Sequence, residues 1–249
     1  MNIYEICKVL RLTFIRENYK SLIDEATKTN QPYEEFLHHL LENEYLLKQA
    51  NSIERKIKEA KFPQKLFLDD FDKSVYDKRF VDKFKELETL DFIGNKQNII
   101  LMGATGAGKT FYATSLGMLA CQKGMRVLFV SVADLIIKLK ETMSMSQITN
   151  FKQRFVAYDL VIIDELGYYS FGKEIAELFF SILSTRDKKG SIIITSNLNF
   201  DEWATPLGDT KLASALISRI CHCSHIIELE RDVDGRMQDT LNWMNRHKI

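Results

Sequence analysis

The chain has 249 residues, 45% of them hydrophobic, and 34 basic side chains balance 34 acidic ones for a formal net charge of +0. That length and apolar content support a folded chain with one α/β domain of ordinary size plus a small appendage, and the balanced charge excludes a wholly basic nucleic-acid coat while leaving local patches open. No apolar run approaches the roughly eighteen residues of a membrane span, Met1-Asn2-Ile3-Tyr4-Glu5 lacks a basic region followed by an apolar stretch, and the four cysteines form no regular framework, so a reducing, cytoplasmic setting is expected.

The first sixty or so residues read as helices. Ile3, Ile6, Leu10 and Phe14 recur at helical spacing, and a second stripe follows at Tyr33, Phe36, Leu37, Leu40 and Leu41. Pro32 with Glu34 and Glu35 suits a first helical turn, where a missing N–H costs nothing and acids face the positive helix end. A third helix is expected from Tyr45 to Ala60, through the run Glu54-Arg55-Lys56. That run reads as a solvated helix face, with a partner or DNA contact as the alternative. Ala60-Lys61-Phe62-Pro63 then breaks the helix, because a residue before proline is pushed out of the α region. The boundary is placed there: residues 1–62 form a helical N-terminal domain for partner or DNA binding, and 63–249 a nucleotide domain. Leu66 to Phe71 leads into the latter, where such a segment can lie beside a nucleotide base.

Gly103-Ala104-Thr105-Gly106-Ala107-Gly108-Lys109-Thr110 fits the phosphate-binding pattern G-x-x-x-x-G-K-[ST]. A triphosphate needs many donors at close range, and a glycine-rich turn lets successive backbone N–H groups point inward without side chains in the way. Lys109 would sit on the β- and γ-phosphates, and Thr110 would offer its hydroxyl to Mg²⁺. The helix expected from Phe111 to Gln122 would present its positive end to the anion. Asn98-Ile99-Ile100-Leu101-Met102 is an apolar run ending at the first glycine, and with the helical pattern that follows the loop it gives the strand, loop and helix that the motif requires.

Arg126 to Ser131 is the next strand, followed by a helical pattern over Ala133 to Lys140. Glu141 to Asn150 is polar and reads as a loop. Lys138, Lys140, Lys152 and Arg154 in this region are candidate contacts to DNA phosphates, which would give salt-sensitive binding with little sequence preference. Leu160-Val161-Ile162-Ile163-Asp164-Glu165 is an apolar strand ending in two acids. In a parallel sheet that end lies beside the phosphate loop, so Asp164 would hold Mg²⁺ and Glu165 would orient and deprotonate the attacking water. Ser191 to Asn197 repeats the logic, delivering Asn197 to the same edge to position that water. Cys221-His222-Cys223 with His225 invites a metal reading, but the spacing is too tight for the usual C-x₂₋₄-C pair. Small buried thiols packed beside Ile226-Ile227-Glu228-Leu229 are expected instead.

Together these residues resemble the AAA+ ATPases of the IstB and DnaC type, and most closely the IstB branch, the transposition helpers of insertion sequences. The resemblance extends over nearly the whole chain and includes Ala60-Lys61-Phe62-Pro63, Ile163-Asp164-Glu165-Leu166-Gly167-Tyr168, Thr195-Ser196-Asn197-Leu198, Phe200-Asp201-Glu202-Trp203 and Ala215-Leu216-Ile217-Ser218-Arg219-Ile220. It implies an α/β P-loop NTPase of the AAA+ kind, with a parallel sheet flanked by helices and a small all-α N-terminal domain. It further implies an ATP- and Mg²⁺-dependent homo-oligomer that assembles on DNA, duplex DNA being expected, and assists a transposase. For the DnaC branch the implied partner is a replicative helicase. By the same resemblance Arg219 matches the arginine finger that completes a neighbouring subunit's ATP site in trans. One departure is the run Gly235-Arg236-Met237-Gln238-Asp239, where many relatives carry a serine and then an arginine after a glycine; Arg236 does not have the spacing of a second sensor.

Overall fold

A computed structural model of the chain describes residues 1–229; the run Gly235 to Asp239 lies outside the described residues. Two compact units divide the chain, Met1–Arg55 and a second beginning at Lys56.

The first unit holds α1 (Ile3–Val9), α2 (Thr13–Thr29) and most of α3 (Tyr33–Ala60). The apolar stripe from Ile3 to Phe14 is therefore split between two helices. Arg11 adopts a left-handed backbone, φ 56, and the Leu12 N–H bonds back to the Cys7 carbonyl at 2.8 Å, closing α1 where no glycine marks an end. Asn30, φ 50, closes α2 in the same conformation, two residues before Pro32. The two helices expected over Tyr33 to Ala60 are one, because nothing between Leu41 and Tyr45 interrupts the i to i+4 ladder. Cys7, Ile15 and Leu40 form the unit's small core. Glu44 is buried and accepts the Thr13 and Ile15 N–H groups at 3.0 and 3.1 Å, satisfying the first turn of α2 from another helix.

The second unit continues through short 3₁₀ turns at Leu68–Asp70 and Lys73–Val75 into α4 (Lys78–Glu88) and α5 (Asp91–Gly94). Then follow β1 (Asn98–Met102), α6 (Lys109–Gln122), β2 (Val127–Ser131), α7 (Val132–Ser144), α8 (Ile148–Val156) and β3 (Leu160–Leu166). The described chain ends through α9 (Lys173–Arg186), β4 (Ser191–Ser196), α10 (Ala204–Leu207), α11 (Thr210–Cys221) and β5 (Ser224–Glu228). Glu141 to Asn150 is thus mostly helix rather than a polar loop, since Met143 and Ile148 pack against the core that holds Leu139 and Phe151.

The five strands are parallel in the order β2-β3-β4-β1-β5. Their side chains alternate between two cores. Ile100, Met102, Val161, Ile163, Ile192 and Ile194 meet α7, α8, α9 and α11 on one face. Ile99, Leu101, Leu160, Ile162 and Ile193 meet α4 and α6 on the other. Burial on both faces explains why these strands read as unbroken apolar runs. Because all strands run the same way, the loops after β1, β3 and β4 emerge together along one edge. Among the described residues no helix is long and apolar enough to cross a membrane.

Candidate functional site

The phosphate loop leaves β1 at Gly103 and enters α6 at Lys109. Its shape depends on glycine at two points. Gly103 has φ +138, and a Cβ there would lie 2.3 Å from the Leu229 carbonyl oxygen; at Gly108, φ +86, a Cβ would lie 2.4 Å from the Tyr76 hydroxyl. Tyr76 braces the loop from behind, its hydroxyl donating to the Ala107 carbonyl at 2.7 Å, and its ring stacks on Phe71. Lys109 Nζ donates to the Gly103 and Ala104 carbonyls, both at 2.7 Å, so its ammonium lies over the loop.

Asp164 is 5% exposed and is the point where three elements meet. Its Oδ1 accepts the Thr110 hydroxyl from α6 at 2.8 Å and the Thr195 hydroxyl from β4 at 2.6 Å. Next to it β3 departs from regular register: Ile163 pairs with Ile194 but Leu166 with Ser196, so β3 carries one residue more than β4 across this interval. Glu165 sits in that bulge with a left-handed backbone, φ 66. Bulges re-aim side chains, and this one turns Glu165 out of the strand's alternation toward the phosphate loop's edge.

A cavity of about 270 Å³ gathers Gly106, Gly108, Lys109, Thr110, Glu165, Thr195 and Asn197, with Gln64, Leu66 and Tyr168 at its walls. The Tyr168 hydroxyl lies 2.8 Å from that of Thr105, linking the loop after β3 to the phosphate loop. Asn197 Oδ1 is buried with no hydrogen-bond partner among the described residues. An unmet buried acceptor is costly, and at the edge of a phosphate-sized cavity it suits a water or hydrated cation. A hydroxyl and a carboxylate held together at the start of α6 are hard oxygen donors of the kind Mg²⁺ takes. A second groove, about 900 Å³, runs from Asp164 and Glu165 along β2 and is also lined by Lys138 and Arg154.

The structure therefore brings Lys109, Thr110, Asp164, Glu165 and Asn197 to one place. It does not bring Arg219 there. Arg219 lies near the end of α11, its guanidinium 5.4 Å from the centre of the Phe180 ring, in a cavity shared with Asn98, Lys188 and Gly190. Asn98 opens β1 while the phosphate loop follows its last residue, Met102, so about 13 Å of extended strand separates the two levels. Of the other basic candidates, Lys152 is engaged, donating to the Ser181 hydroxyl at 2.6 Å. The cysteine cluster differs from expectation: Cys223 is exposed and only Cys221 is partly covered. Burial raises the Cys221 thiol, which disfavours a thiolate, and His225 is in contact with Gln97 at 3.0 Å. Among the described residues no group of three or more His, Cys, Asp or Glu side chains is placed to hold a metal ion.

Residues that sequence reasoning gave no role are Thr195, Tyr168 and Tyr76. Thr195 and Tyr168 stand inside the Thr195-Ser196-Asn197-Leu198 and Ile163 to Tyr168 runs, but only the fold shows what their hydroxyls touch. The bulge at Glu165 had no signal, since glutamate is an uncommon residue in left-handed backbone.

Parallel strands in this order, with a glycine-rich loop after a central strand and acids at the end of another, define a P-loop nucleotide-binding protein of the AAA+ class. Solved structures of the class share the fold. AMPPCP-bound DnaA from Aquifex aeolicus matches with a TM-score of 0.59 at 21% identity, covering 76% of this chain and 57% of that one. The DnaC helicase loader matches with a TM-score of 0.56 at 20% identity, covering 68% of this chain and 98% of that one. The chain belongs to the family of IstB-like ATP binding proteins, whose model matches residues 6–240. The ATP-binding protein of insertion sequence IS5376 from Geobacillus stearothermophilus is 36% identical over 228 residues, 92% of this chain and 91% of the relative. That of IS21 from Pseudomonas aeruginosa is 33% identical over 224 residues, 89% of this chain and 83% of the relative.

Proposed function

We propose that the chain binds and hydrolyses ATP, forms a homo-oligomer on duplex DNA, and assists the transposase of an insertion sequence. The observation that carries the hydrolytic reading is the junction at Asp164, which ties Thr110 of the phosphate loop to the strand that presents Glu165. Insertion-sequence relatives similar over most of their length support the transposition setting. The likeness to the DnaC loader is one of fold, so a helicase partner has no separate support.

In this reading backbone N–H groups from Gly103 to Thr110 and the Lys109 ammonium hold the triphosphate. Thr110 and Asp164 hold Mg²⁺, which when bound offsets phosphate charge. The Thr110 hydroxyl sends its proton to Asp164, leaving oxygen lone pairs free to face a cation. Asn197 accepts a hydrogen bond from the attacking water, and Glu165 takes its proton as the water oxygen bonds to the γ-phosphorus. The bond to the β,γ-bridging oxygen breaks, and ADP and inorganic phosphate leave. Arg219 from a second copy stabilises charge that grows on the γ-phosphoryl group, which makes hydrolysis depend on assembly. Residues 1–62 serve as the partner- or DNA-binding domain and 63–249 as the ATPase. DNA is held through its phosphates.

The test is ATP turnover measured with and without duplex DNA for the native chain and Glu165→Gln. DNA-stimulated turnover that the substitution removes is the expected result. Turnover unchanged by Glu165→Gln removes the mechanism, and turnover indifferent to DNA removes the DNA-bound assembly.

A further inference from the structure

Thr195 is 1% exposed on β4, two residues before Asn197. Its hydroxyl makes two hydrogen bonds of opposite sense. It accepts the Glu165 backbone N–H at 2.9 Å and donates its single proton to Asp164 Oδ1 at 2.6 Å. One oxygen thus grips the backbone of one acid and the carboxylate of the other.

The position matters because of the bulge. An extra residue in β3 loses its regular ladder partner, and a residue with a Cβ does not favour left-handed backbone. Glu165 adopts that backbone with its N–H on the Thr195 hydroxyl, a side chain standing where a strand carbonyl would serve in regular pairing. Asp164 Oδ1 in turn takes donors from both sides, Thr110 and Thr195, which fixes the plane of its carboxylate.

We propose that Thr195 is a positioning residue for ATP hydrolysis: its hydroxyl, oriented by its donation to Asp164, holds the β3 bulge and so keeps Glu165 aimed. The proposal rests on the reading of Glu165 as the group that takes the proton from water. Valine at this position keeps the buried volume but offers neither donor nor acceptor. It leaves the Glu165 N–H unmet and Asp164 Oδ1 with one donor fewer. Serine keeps both bonds.

The experiment uses the full chain with saturating ATP and duplex DNA, in four forms beside the native one: T195V, T195S, E165Q and the double variant T195V/E165Q. T195V is expected to lower kcat by about tenfold or more while affinity for a non-hydrolysable ATP analogue stays within about twofold. T195S should recover most of the rate. The decisive readout is the double variant: if Thr195 works through Glu165, adding T195V to E165Q changes the residual single-turnover rate by less than about twofold. A full additional loss in that background means Thr195 acts on the fold in general and overturns the proposal. So does native turnover in T195V when E165Q is inactive. If E165Q itself turns over at the native rate, the reading of Glu165 fails with no reference to Thr195, and the proposal falls with it. Should T195V not fold, judged by thermal melting, T195C supplies the same comparison, since a thiol keeps the size with weak hydrogen bonding.

Discussion

Substituting Gly108 by alanine tests how the phosphate loop is held. The new Cβ would stand 2.4 Å from Tyr76 Oη and 3.1 Å from Phe71 Cε2, in a backbone at φ +86. Tyr76 cannot easily swing aside: it is 7% exposed, its hydroxyl bonds the Ala107 carbonyl, and its ring is wedged between Phe71 and Phe84 at 5.4 Å from each. The left-handed backbone costs about 1–2 kcal/mol once a Cβ is present, and forcing atoms into a packed site costs about 1–3 kcal/mol. Together they predict a loss of roughly 2–5 kcal/mol, a fall of about 10 °C in melting temperature for a chain of this size. Tyr76→Phe removes the nearest atom, and by itself should cost about 0.5–1.5 kcal/mol for the hydrogen bond lost. The two changes should therefore couple: G108A/Y76F is expected to be about 1–2 kcal/mol more stable than the sum of the single losses. Urea unfolding of the native chain and the three variants measures this. Strict additivity refutes the reasoning, because it means Tyr76 does not bear on the loop at Gly108. Nucleotide binding stays weak in the double variant, since the backbone at position 108 is still left-handed.

Glu44→Ala should destabilise the first unit by about 1–3 kcal/mol, because it leaves the N–H groups of Thr13 and Ile15 without their acceptor; proteolysis cutting earlier within residues 1–55 is the readout, and unchanged protection contradicts it. Duplex binding should weaken with salt, and Lys138→Ala and Arg154→Ala should each reduce the slope of log K against log[salt] by about 1 if they meet phosphates. Lys152→Ala should instead act on stability, since its ammonium is held by Ser181.

The phosphate loop was legible in the sequence because its spacing is set by the phosphates it encloses, and Asp164 and Asn197 were legible because an apolar run ending in a polar residue marks a strand's carboxyl end. What failed to show has a common physical cause. The turn after α1 is made by Arg11 in the left-handed position that glycine or asparagine usually takes, so nothing local separates Leu10 from Phe14. Glu44 looks like Glu42, and only the approach of α2 makes one a buried cap. The polar stretch from Glu141 hid two helix ends whose few apolar residues, Met143 and Ile148, are enough to anchor them. The bulge at Glu165 depends on a threonine thirty residues away in sequence, and no window of neighbouring residues contains both.

The placement of Arg219 yields a test that needs no structure of the assembly. Arg219 and the phosphate loop lie at opposite ends of β1, and a guanidinium side chain does not span that strand as well as the loop beyond it. If Arg219 serves a neighbour, Lys109→Ala chains bind no nucleotide yet still offer their arginine. Arg219→Ala chains bind nucleotide but offer none. Each protein alone should be inactive. Mixed in equal amounts and allowed to exchange, a contact is competent when the nucleotide side comes from an Arg219→Ala chain and the arginine side from a Lys109→Ala chain. Random mixing makes about a quarter of the contacts competent, so about a quarter of the native turnover should return. Activity that stays at the level of the separate variants, in a mixture shown by cross-linking to contain both chains, means that Arg219 does not act across the contact. Activity already present in Arg219→Ala alone means that it is not needed for hydrolysis at all.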